Sequence, residues 1–431
     1  MTGHAITAGP RSLLRVATAG SVDDGKSTLI GRLLHDSKSI LEDQLAAVEA
    51  ASARRGDGSL NLALLTDGLR AEREQGITID VAWRFFATPA RSFIVADSPG
   101  HEQYTRNMVT GASVSDVAVI LVDARHGIVE QTRRHAFLAA HLGVGHLVLA
   151  VNKMDLVDWD ERVFAGIVKE FGDYVAALPR QPLVHAIPVS ALLGGNVVDR
   201  SNVTDWYDGP ALLELLEIIE PVEAPVLGGR VAVQSVIRPL TPEHHDYRGY
   251  AGQVSGGALR VGDDVLVLPA GQRTTVSAID TFDGPLAEAV PGQAIVVLLA
   301  DDLDVGRGDT IVVAHDRAPM VTQVVELDLC WMTEQPLTAG ARVWVKHGTR
   351  TARAIVTDLV SRLDVNSLAV QPRPSQLALN DLGRVRVKVS TPLAIDTYDE
   401  SRVSGRCILI DDASNATAAA AMVVGGGDTL T

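Results

Sequence analysis

Nine consecutive residues, Gly20-Ser21-Val22-Asp23-Asp24-Gly25-Lys26-Ser27-Thr28, restrict what this chain can fold into more than any other stretch. They fit G-x-x-x-x-G-K-[ST], with a strand-like run (14–19) before them and a helix-like run (27–35) after them. Gly20 and Gly25 permit backbone angles that a Cβ would forbid. Successive N–H groups and a helix N-terminus then converge on one point, which favours an anion there. Lys26 adds a positive charge expected to reach the β and γ phosphates of a nucleotide, and the Ser27 hydroxyl is placed to hold Mg²⁺.

The surroundings agree with that beginning. Up to about residue 219, short apolar runs rich in β-branched residues (14–19, 92–96, 117–122, 146–151 and 184–189) alternate with amphipathic helical ones (131–142, 160–175 and 210–219). That alternation predicts an α/β domain with a largely parallel sheet, and residues 83–87 read as an added edge strand. The segment 220–225 carries two prolines and no helical period, so it reads as a linker. Beyond it come short strands punctuated by Gly, Pro and Asp turns, with a second break at 315–320, which predicts two antiparallel β-barrels. The expected division is 1–221, 222–317 and 318–424, with 425–431 as a disordered tail.

Composition narrows the class. A chain of 431 residues, 46% of them hydrophobic, fills two or three domains. Its formal net charge of -15 speaks against a general affinity for nucleic acid, which needs clustered Lys and Arg. Cys330 and Cys407 stand far apart with no metal-type spacing, so two buried thiols in a reducing compartment are expected. Residues 1–10 lack a cationic start followed by an apolar core, and no apolar run reaches the roughly 20 residues of a membrane span. A soluble cytoplasmic protein without membrane or nucleic-acid partners is expected.

Three more stretches complete a nucleotide site. Asp97-Ser98-Pro99-Gly100-His101 closes a strand, as an aspartate that holds Mg²⁺ through water should, and Gly100 offers an N–H to a γ phosphate. Asn152-Lys153-Met154-Asp155 closes another strand and selects the base. The Asp155 carboxylate can accept from N1–H and the 2-amino group of guanine, whereas adenine has no donor there and leaves the acceptor unpaired, at about 1–3 kcal/mol. Ser190-Ala191-Leu192 ends the next strand, where a backbone N–H can meet guanine O6. Between the loop and Asp97, Thr78 is the candidate to complete the metal's coordination when the γ phosphate is present.

These stretches together carry a resemblance. GSVDDGKST, EREQGITI, DSPGHEQYTRNMVTGAS, NKMD and SAL resemble translation-factor-type GTPases, and within that class the chain is most similar to the GTPase subunits of bacterial sulfate adenylyltransferases. The Asp23-Asp24 pair, where elongation factor Tu has Asp-His, and the long insert between the loop and Thr78 mark that narrower family. Phe282-Asp283-Gly284 and the run from Trp331 to Pro336 extend the match into both barrels. The resemblance implies an elongation-factor-Tu-like fold, GTP and Mg²⁺ as ligands, and GTP hydrolysis with Lys26, Thr78 and His101 in the catalytic site. His101 would orient the attacking water beside an apolar gate of Val22 and Ile77. It also implies an ATP-using small subunit as heterodimer partner, which makes adenylylsulfate from ATP and sulfate.

Two rival readings share the same nucleotide chemistry. One is an elongation factor whose barrels carry aminoacyl-tRNA, and the other a GTP-dependent binding module. Against the first, residues 222–431 hold 18 Lys and Arg against 25 Asp and Glu, a net of -7, with no basic run. Ser255-Gly256-Gly257 begins like a pyrophosphatase loop but continues Leu259-Arg260, so a hairpin turn is expected. Arg384, Arg386 and Lys388 alternate along one strand and are expected on a solvated face.

Overall fold

The computed structural model describes residues 12–38, 46, 48, 62, 81–98, 105–222, 227–239 and 246–427. The chain divides into two compact units, residues 1–222 with 365–368 and residues 223–364 with 369–431. Among the described residues no helix is long and apolar enough to cross a membrane.

The first unit is built on six strands: β1 (Leu13–Gly20), β2 (Ala82–Ala87), β3 (Ser92–Asp97), β4 (Val117–Asp123), β5 (His146–Asn152) and β6 (Leu183–Pro188). Their spatial order is β2-β3-β1-β4-β5-β6, and all pair in parallel except β2, the antiparallel edge. β4 and β5 are buried at every position, which is why they read as unbroken apolar runs. The helices are α1 (Lys26–Asp36), α2 (Thr105–Ala112), α3 (Glu130–His141), α4 (Glu161–Ala176) and α5 (Leu212–Ile218). α4 starts where Asp160 caps it, its carboxylate accepting the Arg162 N–H at 2.7 Å. It buries Ile167, Phe171 and Val175, the apolar stripe of its sequence.

α2 has no counterpart in the sequence reading. Its eight residues are too few to display a helical period, and Gly111 lies so close to β3 that a Cβ would stand 2.9 Å from Ser98 Oγ. The exit of the unit is fastened rather than loose. Arg91 donates to the Leu216 carbonyl at 3.1 Å and to that of Ile219, and His146 Nε2 donates to the Glu220 carbonyl at 2.9 Å.

The second unit holds two closed barrels. The first contains β7 (Gly229–Ile237), β8 (Gly249–Gly256), β9 (Leu259–Arg260), β10 (Asp264–Leu268), β11 (Gln272–Thr281), β12 (Gly284–Leu286), β13 (Glu288–Ala289), β14 (Ala294–Leu299) and β15 (Thr310–Val313). The order β10-β15-β7-β8-β14-β11 closes through β10–β11. The second contains β16 (Met320–Trp331), β17 (Arg342–His347), β18 (Arg350–Leu363), β19 (Val370–Pro372), β20 (Leu382–Ile395), β21 (Arg406–Asp411) and β22 (Thr417–Gly427), and the order β17-β21-β22-β16-β20-β18 closes through β17–β18. Closure pairs the ring strands of each barrel on both sides among the described residues, with β12 and β19 added at the margins, and each ring is filled by its own apolar cluster. Cys330 and Cys407 are both buried, and burial pushes the Cys407 thiol up to about 12.

The tail expected from Gly425 onward is strand as far as Gly427: Gly425–427 continue β22 and pair with Glu326, Val325 and Val324 of β16. The glycines are there for space: a Cβ at Gly426 would meet Met320 Sδ at 2.7 Å and Thr322 Cγ2 at 2.8 Å. Ser255-Gly256-Gly257 lies at the end of β8 and the turn to β9, but it does not close the expected hairpin, because β8 pairs with β7 and β14 while β9 pairs with β13. Two of the three alternating cations of β20 face acidic partners across the ladder, Arg384 on Asp328 at 2.7 Å and Arg386 on Asp358 at 3.4 Å.

Candidate nucleotide site

β1 lies between β3 and β4, where the order of a parallel sheet reverses and a crevice opens at the carboxyl ends of the strands. Gly20 ends β1 there, and residues 21–25 turn into α1. Gly25 has φ 93°, and a Cβ on it would stand 2.5 Å from Asn152 Nδ2, so only glycine fits. Lys26 lies back over the turn, its Nζ donating to the Gly20 and Ser21 carbonyls at 2.8 Å each. Burial lowers its pKa, opposed by the carboxylates of Asp97, Asp24 and Asp23. Asp24 folds inward and accepts the Ser21 N–H at 2.5 Å; burial raises its pKa despite that bond and Lys26. Val22 and Asp23 are exposed on the rim, Asp23 with φ 66°.

The loop is tied to the neighbouring strand ends by side chains. Asn152, at the end of β5, donates Nδ2 to the Asp24 carbonyl at 2.7 Å, and its Oδ1 accepts the Ala191 N–H at 2.9 Å. One amide thus joins the phosphate turn to the 190–192 loop. Lys153 stands in the left-handed region, φ 62°, and its Nζ reaches the Asp23 carbonyl at 2.5 Å and Asp123 Oδ2 at 2.9 Å.

Asp123 and Arg32 were not singled out from the sequence. Asp123 closes β4 opposite Asn152 in register, as Asp97 closes β3, and that shared position at the end of a buried strand was the available signal. Burial disfavours its charge, but two bonds from the Arg125 side chain, the Arg125 N–H and Lys153 together hold its carboxyl well below the usual range. Arg32 projects from α1 onto the carbonyls of Ala191, at 3.3 Å, and Leu192. A basic residue one turn before the end of a helix carried no signal of its own.

Asp97 is buried at the end of β3, its Oδ1 accepting from Thr18 Oγ1 of β1 at 3.3 Å. Ser98 follows, also buried, and Ser27 and Thr28 lie half-buried in the first turn of α1. The Asp97 carboxylate and the Ser27 hydroxyl are hard oxygen donors of the kind Mg²⁺ takes. Asp155 is half-buried in the 3-10 turn Met154–Val157, and its Oδ1 is buried with no hydrogen-bond partner among the described residues. An orphaned carboxylate oxygen costs folding free energy unless a ligand supplies a donor. Ser190 is buried and its Oγ accepts the Leu193 N–H at 3.2 Å. Thr78, Pro99, Gly100 and His101, together with Ile77, lie outside the described residues.

Comparison with known proteins places this geometry. The elongation factor Tu GTP binding domain family matches residues 11–224, and the GTP-eEF1A C-terminal domain-like family matches 324–424. The chain is 54% identical over 96% of its length to the bifunctional enzyme CysN/CysC of Mycobacterium tuberculosis, covering 67% of that protein. It is 50% identical to sulfate adenylyltransferase subunit 1 of Shewanella oneidensis and 49% identical to that of Tolumonas auensis, in each case over 96% of its own length and covering 86% and 87% of theirs. With an elongation-factor-Tu-type GTP-binding domain and relatives at these identities over nearly its whole length, the chain belongs to the sulfate adenylyltransferase subunit 1 family.

Proposed function

We propose that this chain is the GTP-hydrolysing large subunit of a sulfate adenylyltransferase, coupling GTP hydrolysis to the formation of adenylylsulfate from ATP and sulfate on a separate, ATP-using small subunit. The observation that carries the nucleotide choice is the buried Oδ1 of Asp155, unpartnered among the described residues, beside a phosphate loop braced by Asn152 and Lys153. Guanine offers this carboxylate two donors, N1–H and the 2-amino group, one of which would satisfy Oδ1.

In this reading the backbone N–H groups of residues 22, 23 and 25–28 and the Lys26 ammonium hold the phosphates, the Ser21 and Asp24 N–H groups being used within the turn. Lys26 can leave the Gly20 and Ser21 carbonyls for a phosphate oxygen, exchanging two neutral acceptors for a charged one. Ser27 and Asp97, with Thr78, would hold Mg²⁺, which neutralises charge developing on the β and γ oxygens. His101, following Asp97-Ser98-Pro99-Gly100, positions the attacking water. Asn152 acts as a brace, since both ends of its amide are used within the protein.

The partner requirement follows from what the sequence holds. It contains one phosphate loop, fitted for guanine, and neither an SGGxDS nor an HxGH nucleotidyltransferase signature. Forming a phosphosulfate anhydride from ATP and sulfate is uphill, which gives a second hydrolysis something to drive. The test is to measure adenylylsulfate formation and GTP hydrolysis with this chain alone, with the ATP-using subunit alone, and with both. Adenylylsulfate should form at a useful level only in the mixture, and ATP with sulfate should accelerate GTP hydrolysis there. Adenylylsulfate made by this chain alone, or a GTPase rate indifferent to the partner, would overturn the proposal.

A further inference from the structure

Resting on the guanine reading above, we propose that Arg32 of α1 is a specificity-determining positioning residue, which aims the Leu192 N–H at the 6-oxo group of the base. Three N–H groups belong to the loop that ends β6. That of Ser190 donates to the Gly195 carbonyl at 3.1 Å, and that of Ala191 to Asn152 Oδ1 at 2.9 Å. The Leu192 N–H is the one of the three without a protein acceptor among the described residues.

Arg32 grips the loop on both sides of that N–H. Its Nε donates to the Ala191 carbonyl at 3.3 Å, and its Nη2 donates to the Leu192 carbonyl. The Ala191 carbonyl and the Leu192 N–H are the two ends of one peptide unit, which is planar and trans, so they point in opposite directions. Drawing the carbonyl toward α1 therefore turns the N–H away from it. The guanidinium is itself steadied by Asp36 one turn on, at 3.6 Å, and Asp36 also accepts from His35 Nδ1 at 2.6 Å. The helix whose first turn carries Lys26 and Ser27 thus also sets the direction of a donor at the base.

Only a planar fork makes both bonds at once, so the stem and the charge can be separated from the grip. The experiment displaces methylanthraniloyl-GDP from the full chain with GDP, IDP and ADP. GDP and IDP both carry a 6-oxo group, and ADP carries a 6-amino group in its place. Arg32→Met should weaken GDP and IDP by about tenfold each, as expected for losing one well-aimed hydrogen bond, and leave ADP unchanged or slightly tighter. Arg32→Lys, with a single donor, should fall between, and it carries the same comparison if the Met variant does not fold. Equal loss for all three nucleotides would mean general damage to α1 and would overturn the proposal, as would an unaltered affinity for GDP. A wild-type protein that does not prefer GDP to ADP would overturn the guanine reading instead.

Discussion

Strands β4 and β5 of the first unit are buried at all seven positions each, whereas β18 and β20 of the second barrel alternate between buried and exposed. The difference decides where polar chemistry can sit. A parallel strand covered on both faces has room for polar side chains only at its end, and there stand Asp97, Asp123 and Asn152, with Ser190 just beyond β6. The barrel strands carry polar groups along their length, and those pair where they stand: Arg384 with Asp328, Arg386 with Asp358, Arg230 with Asp396. Substitutions at the ligand-directed groups just past those strand ends, Asp155 and His101, should therefore change ligand chemistry with little effect on stability. Those at the paired groups of the barrels should do the reverse.

The largest expected effect lies in the barrels. Arg230 of β7 and Asp396, just beyond β20, join the two rings through a 3.0 Å ion pair that is almost fully buried on both sides. Arg230 also donates to the Gly228 and Arg317 carbonyls, at 2.8 and 2.9 Å, and Asp396 accepts from Ser404 Oγ at 2.5 Å. Asp396→Ala leaves a guanidinium buried without its counter-ion and should cost about 3–5 kcal/mol of barrel stability in denaturant unfolding. GTP affinity should stay as it was. A loss of GTP affinity in a variant of unchanged stability would break the comparison.

Next in size is His101→Ala. Positioning a nucleophile and offsetting developing charge supply most of the catalysis in phosphoryl transfer, so partner-stimulated turnover should fall about 10²- to 10³-fold, or roughly 3–4 kcal/mol in the barrier. GTP affinity and melting temperature should hold. Single-turnover hydrolysis with both subunits present is the measurement, and undiminished turnover removes the role.

Asp155→Asn should be smaller, about 1–3 kcal/mol of GDP affinity, because one charged acceptor of two bonds becomes a neutral one. The same variant should gain affinity for xanthosine diphosphate, whose 2-oxo group meets the new amide donor. Isothermal titration with both nucleotides decides it; a parallel loss of both would mean that Asp155 does not face the base.

These two regions were not equally legible. The sequence-based reading found the strand ends because each motif needs a fixed residue type at a fixed place in a strand-to-helix turn. The Gly25–Asn152 contact shows the limit of that method, since the 2.5 Å approach that demands glycine comes from a residue over a hundred positions away. The roles of Asn152 as brace, Asp123 as anchor for Lys153, and Arg32 as grip depend on which strands are neighbours. No local pattern contains that. In the barrels, alternation announced strands, but partners such as Arg230 and Asp396 are set by ring closure and by the docking of one ring on the other. The glycines at 425–427 were misread as tail because composition marks flexibility where the structure uses the missing side chains to pass Met320 and Thr322.

The smallest effect expected concerns acid, and both regions hold a histidine that burial keeps neutral. Burial pushes His135 of α3 down to about 3, aided by Lys26 and Arg134, and it lowers His347 of β17 against the opposing influence of the Ser404 bond and Asp396. His347 Nε2 carries its proton toward the Ser404 carbonyl at 2.6 Å, so the one donor of the neutral ring is already used there. A histidine whose folded pKa is lowered binds its proton more readily in the unfolded chain. Its contribution is whole above the unfolded value of about 6.5 and drains away as pH falls below it, by at most about 1.4 kcal/mol per pH unit. Hydrogen exchange of the β21 amides, which follows opening of the second barrel, should show stability falling from pH 6.5 to 5.5. His347→Gln keeps a neutral donor for Ser404 and has nothing to titrate, so it should flatten that slope while leaving the loss that His135 imposes on the first unit. An unchanged slope in the variant would mean that the acid sensitivity of the barrel lies in another group.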